Sequence, residues 1–119
     1  MRVLVVGASR KPERYSYLAM KRLLEKKHEV VLFHPSVEEI EGHPVVNSLK
    51  NVESPLDTIT LYVGTTRVEQ MADDLIACSP RRIISNPGTE SEVLKSKAID
   101  AGIEYIEACT LVMLSTDQF

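Results

Sequence analysis

Cysteine is scarce, with two residues in 119, and Cys78 and Cys109 stand in no CxxC pair or Cys/His cluster. That excludes a disulfide-built scaffold and fits a reducing compartment. Metal-ligand spacings of histidine are missing too, since His28, His34 and His43 form neither HxxxH nor HExxH. No apolar run approaches a membrane span, and the opening "MRVLVVGAS" lacks the layout of a signal peptide. A soluble, cytoplasmic protein is therefore expected. Positive charge is not in excess: the net charge is −3 and the pI is near 5.6, which argues against a nucleic-acid surface and makes any anion site a local one. Repeats, linkers and low-complexity stretches are also absent, so residues 1–119 are expected to form a single domain with one core and no second substrate domain.

What is present alternates in period. "RVLVV" (2–6) is a short β-branched run ending at Gly7, the pattern of a strand buried on both faces. From Tyr15 to Lys27 the apolar Tyr17, Met20, Leu23 and Leu24 recur at helical spacing, with Lys21, Arg22, Glu25, Lys26 and Lys27 on the other side. "EVVLFHP" (29–35) reads as a second strand stopped by Pro35. Residues 36–56 are harder: "SVEEI" suits one helical turn and "PVV" a short edge strand. "DTITLYVG" (57–64) is a strand, followed by Thr65 and Thr66 as candidate caps of a helix striped by Val68, Met71, Ala72, Leu75 and Ile76. "RRIIS" (81–85), a helix over about 90–101 closed by Gly102, and the strand "IEYIEA" (103–108) complete the pattern, while "TLVML" fits either a last core element or a patch for a homo-oligomer.

Parallel strands need crossover connections, so this alternation predicts an α/β, Rossmann-like, three-layer doubly wound parallel sheet of five or six strands. In such sheets ligands sit beyond the carboxyl ends of the strands, where the strand order reverses. The loops so selected, 7–16, 34–36, 64–67, 86–89 and 108–110, contain Gly7, Ala8, Ser9, Arg10, Lys11, Pro12, Arg14, Tyr15 and Ser16; His34 and Pro35; Gly64, Thr65, Thr66 and Arg67; Pro87, Gly88 and Thr89; and Cys109. They are rich in small residues, hydroxyls and cations, which suits phosphate. Gly7 permits a tight turn, helix-start amides near Ser16 can face an anion, and Arg10, Lys11 and Arg14 add charge at the same end.

A nicotinamide dinucleotide fits less well. The GxGxxG spacing would place glycines where Ser9 and Pro12 stand, and the carboxylate that holds the ribose hydroxyls is replaced by Phe33, His34 and Pro35. An NAD(P)-binding small oxidoreductase and a ligand-free regulatory domain are the alternative readings. Between the two tyrosines at the helix start, Tyr15 is the candidate for covering a base, because Tyr17 lies on the apolar stripe. Cys109 has two readings: a small buried hydrophobe, or a thiol near the site mouth able to form a mixed disulfide.

"GASRKPERYSYLAMKRLLEKKHEVVLFHP" (7–35) resembles the opening of the small single-domain coenzyme A-binding proteins, relatives of the CoA-binding domain in the succinyl-CoA synthetase α subunit. Gly7, Ala8, Ser9, Pro12, Arg14 and Ser16 match the family's G-A-S-x-x-P-x-R-x-S loop, and Pro35 its strand end, with His34 in place of the usual Asn. A strand–Gly–hydroxyl turn near 64, a Pro-Gly turn near 87 and a cysteine after the last strand also recur, although the Cys-Pro step of many relatives is missing here. The resemblance implies a coenzyme A or acyl-CoA ligand held by its ADP portion. Gly7, Ala8, Ser9, Arg14 and Ser16 would lie at the phosphates, Pro35 in the adenosine pocket, and the turn Val63 to Thr66 would form a wall. It also implies a module that is not catalytic alone, since the larger synthetases need a phosphorylatable histidine in another domain and a nucleotide-binding partner.

Overall fold

The computed structural model describes every residue, Met1–Phe119. Strand β1 (Arg2–Val6) forms because its β-branched and leucine side chains are buried on both faces of a sheet: Val3, Leu4, Val5 and Val6 are completely inaccessible. The period of two divides them, with Leu4 and Val6 entering one core cluster and Val3 and Val5 the other. β1 pairs in parallel with β2 (Glu29–Phe33) on one side and β5 (Leu56–Leu61) on the other. Beyond β5 come β6 (Pro80–Ser85) and β7 (Glu104–Glu107), both parallel.

The 36–46 segment departs from expectation. No helical turn forms at "SVEEI". Instead β3 (Glu39–Ile40) and β4 (His43–Val46) make a hairpin in which β4 continues the parallel sheet beside β2 and β3 is the antiparallel edge. Its two turn residues, Glu41 and Gly42, both have positive φ (49° and 83°), the backbone of the tightest hairpin loops. The sheet therefore has seven strands in the order β3-β4-β2-β1-β5-β6-β7, rather than five or six. Glu41 also fastens the hairpin to the neighbouring helix, accepting from Lys21 Nζ at 2.8 Å and from the Tyr17 hydroxyl.

Helices cover both faces, as the doubly wound expectation requires. α1 (Tyr15–Glu25) lays Met20 and Leu23 on the cluster of Val3, Val5 and Leu32, and α4 (Thr110–Ser115) adds Leu114 to it. The "TLVML" run is thus a helix that packs through one side, with Val112 left exposed. On the opposite face α2 (Thr65–Ala77) and α3 (Glu92–Asp100) place Val68, Ala72, Leu75, Leu94 and Ala98 over Leu4, Ile59 and Ile83. None of these helices is long and apolar enough to cross a membrane.

The helix ends explain two boundaries that fall short of the sequence pattern. α1 stops at Glu25 because Lys27 is left-handed (φ 64°) and His28 N donates back to Leu23 O at 3.1 Å. α3 begins after Ser91, whose Oγ accepts from Leu94 N at 3.1 Å, and stops at Asp100, two residues before the left-handed Gly102 (φ 74°), with Ile103 N donating to Ala98 O at 2.8 Å. Replacing Ser91 by alanine strands the Leu94 amide, and a loss of about 1 kcal/mol in urea unfolding is expected.

Candidate functional site

The strand order reverses between β1 and β5, and the chain leaves both strands there to enclose an open cleft of about 960 Å³. This lies at the upper end of the roughly 300–1,000 Å³ found for small-molecule sites. Each wall is a connection whose shape follows from its sequence.

The first wall is the loop after β1. Gly7 turns at φ 94°, so that its own amide and that of Ala8 both donate to Phe33 O at 3.1 Å, folding the loop over the end of β2. A Cβ at Gly7 would sit 2.9 Å from Val63 Cγ1 and 3.1 Å from the Tyr62 carbonyl, so glycine is required for space as well as for conformation. Ser9 Oγ accepts from Lys11 N at 3.1 Å, and Lys11 O accepts from Arg14 N at 3.0 Å; these bonds close the loop before α1 starts. Arg14 is the N-cap residue, but no side chain caps the helix, which leaves the first-turn amides available at the cleft. Arg10 Nε donates to Glu39 O at 2.8 Å and ties the loop to the β3 hairpin.

The second wall follows β2. The His34 ring accepts from Ser36 N at 3.0 Å and Val37 N at 3.2 Å, both at Nδ1, and Asn47 Nδ2 donates to His34 O and Val37 O at 2.7 and 2.9 Å. The third follows β5, which ends at Leu61, so that Tyr62–Gly64 leave the sheet and enter the cleft wall. Burial pushes the Tyr62 phenol up to about 12, and its hydroxyl has no hydrogen-bond partner, so this side chain stays neutral. The fourth wall is the 86–91 turn. Buried Asn86 pins it, giving Nδ2–H bonds to Thr60 Oγ1 (2.7 Å) and Leu61 O (2.8 Å) while Oδ1 accepts from Thr110 N (2.8 Å). Glu90 Oε1 accepts from Gly88 N at 3.0 Å, and Glu90 O from the Thr65 hydroxyl at 2.7 Å.

Most candidates from the sequence meet here: Gly7, Ala8, Ser9, Arg10, Lys11, Arg14, Tyr15, Ser16, His34, Pro35, Val63, Gly64, Pro87 and Gly88 all line the cleft. Pro12, Thr65 and Thr66 do not. Pro12 is exposed on the outer side of the loop, and Thr65 turns its hydroxyl to Glu90; the cap of α2 is Gly64, with no side-chain bond. Cys109 does not line the cleft either: it is the half-buried N-cap residue of α4, and Thr110 after it returns to β5, its hydroxyl 2.8 Å from that of Thr60. Tyr15 is exposed at the cleft while Tyr17 is engaged with Glu41, which separates the two tyrosines as the apolar stripe implied. Arg67 and Thr89, from the nominated loops 64–67 and 86–89, line it as well, whereas the loops did not point to Phe33, Val37, Tyr62, Gln70 and Met71, which complete the lining.

Arg10, Lys11, Arg14 and Arg67 bring four cations to the lining, and no Asp or Glu is among its residues. In a chain of net charge −3 this is a strong local segregation. The profile of the CoA binding domain matches residues 1–115. The chain belongs to that family. Among relatives of this CoA binding domain, the uncharacterised protein YneT of Bacillus subtilis (strain 168) is 27% identical over 75 residues, which are 63% of the chain and 56% of YneT. A crystallised uncharacterised protein is 36% identical, with a TM-score of 0.93 over 99% of the domain and 97% of that protein. A dinucleotide-forming acetyl-coenzyme A synthetase of Ca. Korarchaeum cryptofilum, crystallised with phosphate and ADP, shares the fold at 21% identity, with a TM-score of 0.77 over 90% of the domain and 25% of the synthetase.

Proposed function

We propose that the domain binds coenzyme A or an acyl-CoA in this cleft, with the ADP and 3′-phosphate groups at the carboxyl ends of β1, β2 and β5, and that by itself it holds the ligand without transforming it. The segregation of Arg10, Lys11, Arg14 and Arg67 in a lining free of carboxylates carries the reading. A ligand with a diphosphate and a further phosphate asks for cations and amide donors, which the uncapped starts of α1 and α2 also supply. Phe33, Val37, Val63 and Met71 offer the apolar surface that an adenine and a pantetheine arm would cover. The recurrence of the fold within an acetyl-coenzyme A synthetase supports the same ligand.

Two features favour holding over chemistry. The imidazole of His34 has its Nδ1 committed to two backbone amides, and the Tyr62 phenol is held neutral by burial, so neither presents a base. NADP is the second reading, because its 2′-phosphate would also suit four cations; NAD lacks that group and would meet Phe33 and His34 where its ribose needs a carboxylate. Thermal unfolding with coenzyme A, acetyl-CoA, dephospho-CoA, NAD, NADP and ATP separates these. A ligand at about 100 times its Kd adds about 2.7 kcal/mol to the apparent stability. Coenzyme A is expected to give the largest shift and dephospho-CoA a smaller one; a shift with NADP and none with coenzyme A would reverse the assignment. The shift should also shrink as salt rises from about 0.05 to 0.5 M, since exposed cations are screened over a few ångströms at high salt.

A further inference from the structure

We propose that His34 is a positioning residue of the cleft: its neutral imidazole, protonated at Nε2, holds the Pro35–Val37 wall in place, and a proton arriving at Nδ1 releases that wall and weakens ligand binding. The ligand part of this rests on the cleft being the coenzyme A site; the turn itself does not.

The hydrogen bonds fix the tautomer. Ser36 N and Val37 N both donate to His34 Nδ1, at 3.0 and 3.2 Å, and neither amide bonds to a backbone carbonyl. The Ser36 hydroxyl lies 3.4 Å from the same nitrogen. Two amides can donate only to a bare lone pair, so Nδ1 carries no hydrogen and the ring proton is on Nε2. The turn is also fastened at its ends, by His34 N donating to Val46 O at 3.1 Å and Val45 N donating to Glu38 O at 3.0 Å, and along its carbonyl side by the two bonds from Asn47 Nδ2 to His34 O and Val37 O. Pro35 has no N–H to offer, and so between the two ends of the turn its donors are Ser36 N and Val37 N, for which the imidazole is the acceptor.

Protonation converts Nδ1 from an acceptor into a donor facing two donors. Both bonds are lost, and Pro35 and Val37, which line the cleft beside Phe33, lose the anchor that aligns them. The charged and titratable groups on the surrounding elements are Arg10 and Lys11 on the loop after β1, Arg14 at the start of α1, Glu38 on the same connection as His34, Glu39 on β3, His43 on β4 and Arg67 on α2. An imidazolium would add a fifth positive charge to the lining, which by itself favours a polyanion. His34 is partly exposed, however, so that gain is screened, whereas the lost bonds displace a wall. Asparagine separates the two effects. Its Oδ1 is as many bonds from Cα as Nδ1 of histidine, it accepts in the same way, and it does not titrate in this range.

The test compares wild type with His34→Asn and His34→Ala at about pH 8 and about pH 5.5, which bracket the range where an imidazole changes charge. Calorimetric titration with coenzyme A is run alongside amide-exchange protection of Ser36 and Val37 in the ligand-free protein, corrected for the intrinsic pH dependence of exchange. His34→Ala is expected to bind about tenfold more weakly than wild type at the higher pH, and His34→Asn to recover most of that loss. Between the two pH values wild type should lose about tenfold more affinity than His34→Asn, with protection at Ser36 and Val37 falling in wild type alone. Equal pH profiles for wild type and His34→Asn, or unchanged protection in wild type across the range, would overturn the proposal. If coenzyme A binds none of the three proteins, the ligand assignment fails, and the exchange data still decide whether His34 holds the turn.

Discussion

Arg14→Ala is expected to lower coenzyme A affinity by about 1.5–3 kcal/mol, roughly a 10- to 150-fold loss, while leaving unfolding stability within about 0.5 kcal/mol of wild type. The separation follows from what Arg14 does and does not touch. It lines the cleft at the start of α1 but contributes no side-chain cap to that helix, so the fold does not depend on its guanidinium. Arg10 differs, because its Nε is tied to Glu39 O, and its removal would loosen the hairpin as well as the site. A guanidinium can meet a phosphate with two parallel bonds, which a lysine cannot reproduce, so Arg14→Lys should recover only part of the loss. Calorimetric titration beside urea unfolding checks both halves. Equal affinities for Arg14→Ala and wild type would remove this residue from the site.

Gly7→Ala should have the larger effect on the fold, about 2–4 kcal/mol lost, together with weakened binding. Two costs combine at one atom. The backbone at φ 94° lies in a region that side chains rarely adopt, and the added Cβ would press on Val63 Cγ1 at 2.9 Å and on the Tyr62 carbonyl at 3.1 Å. Val63 could give way, but the Tyr62 backbone follows directly on β5, where Tyr62 N donates to Val6 O at 2.8 Å. Relief must therefore come from moving the loop, and with it the amides of Gly7 and Ala8 that bond to Phe33 O. A Gly7→Ala protein with wild-type unfolding midpoint and wild-type affinity would show that the first crossover is not held as tightly as its contacts imply.

The sequence carried the central features of this architecture because their signals are local. A β-branched run that ends in glycine can be read without knowing its neighbours, and so can a helix whose apolar residues recur at three and four. The small, hydroxylated and basic residues of the loop after β1 drew attention to a turn that the structure places in the cleft lining. The 36–46 segment was harder, because strands of two and four residues are too short to show a period; the Glu41-Gly42 dipeptide was the available sign of a hairpin. Gln70 and Met71 were overlooked for a different reason. They lie on α2, and which of its residues reach the cleft depends on how Val68, Ala72 and Leu75 seat that helix on the sheet. Thr65 and Thr66 drew attention as hydroxyls after a strand, yet Thr65 bonds to Glu90 and Gly64 serves as the cap. Cys109 follows the edge strand β7 and does not line the cleft, although Thr110 beside it reaches back to Thr60 on β5.

Amide chemical shifts followed during a coenzyme A titration test the central claim most directly, because they report where the anionic end of the ligand lands. The expected result is saturable change concentrated at Gly7–Ser9, at Tyr15–Tyr17 in the first turn of α1 and at Thr65–Arg67 in the first turn of α2, with little change along α3 and β7. Changes centred on α3, α4 or β7, or no change at any residue at saturating ligand, would contradict it.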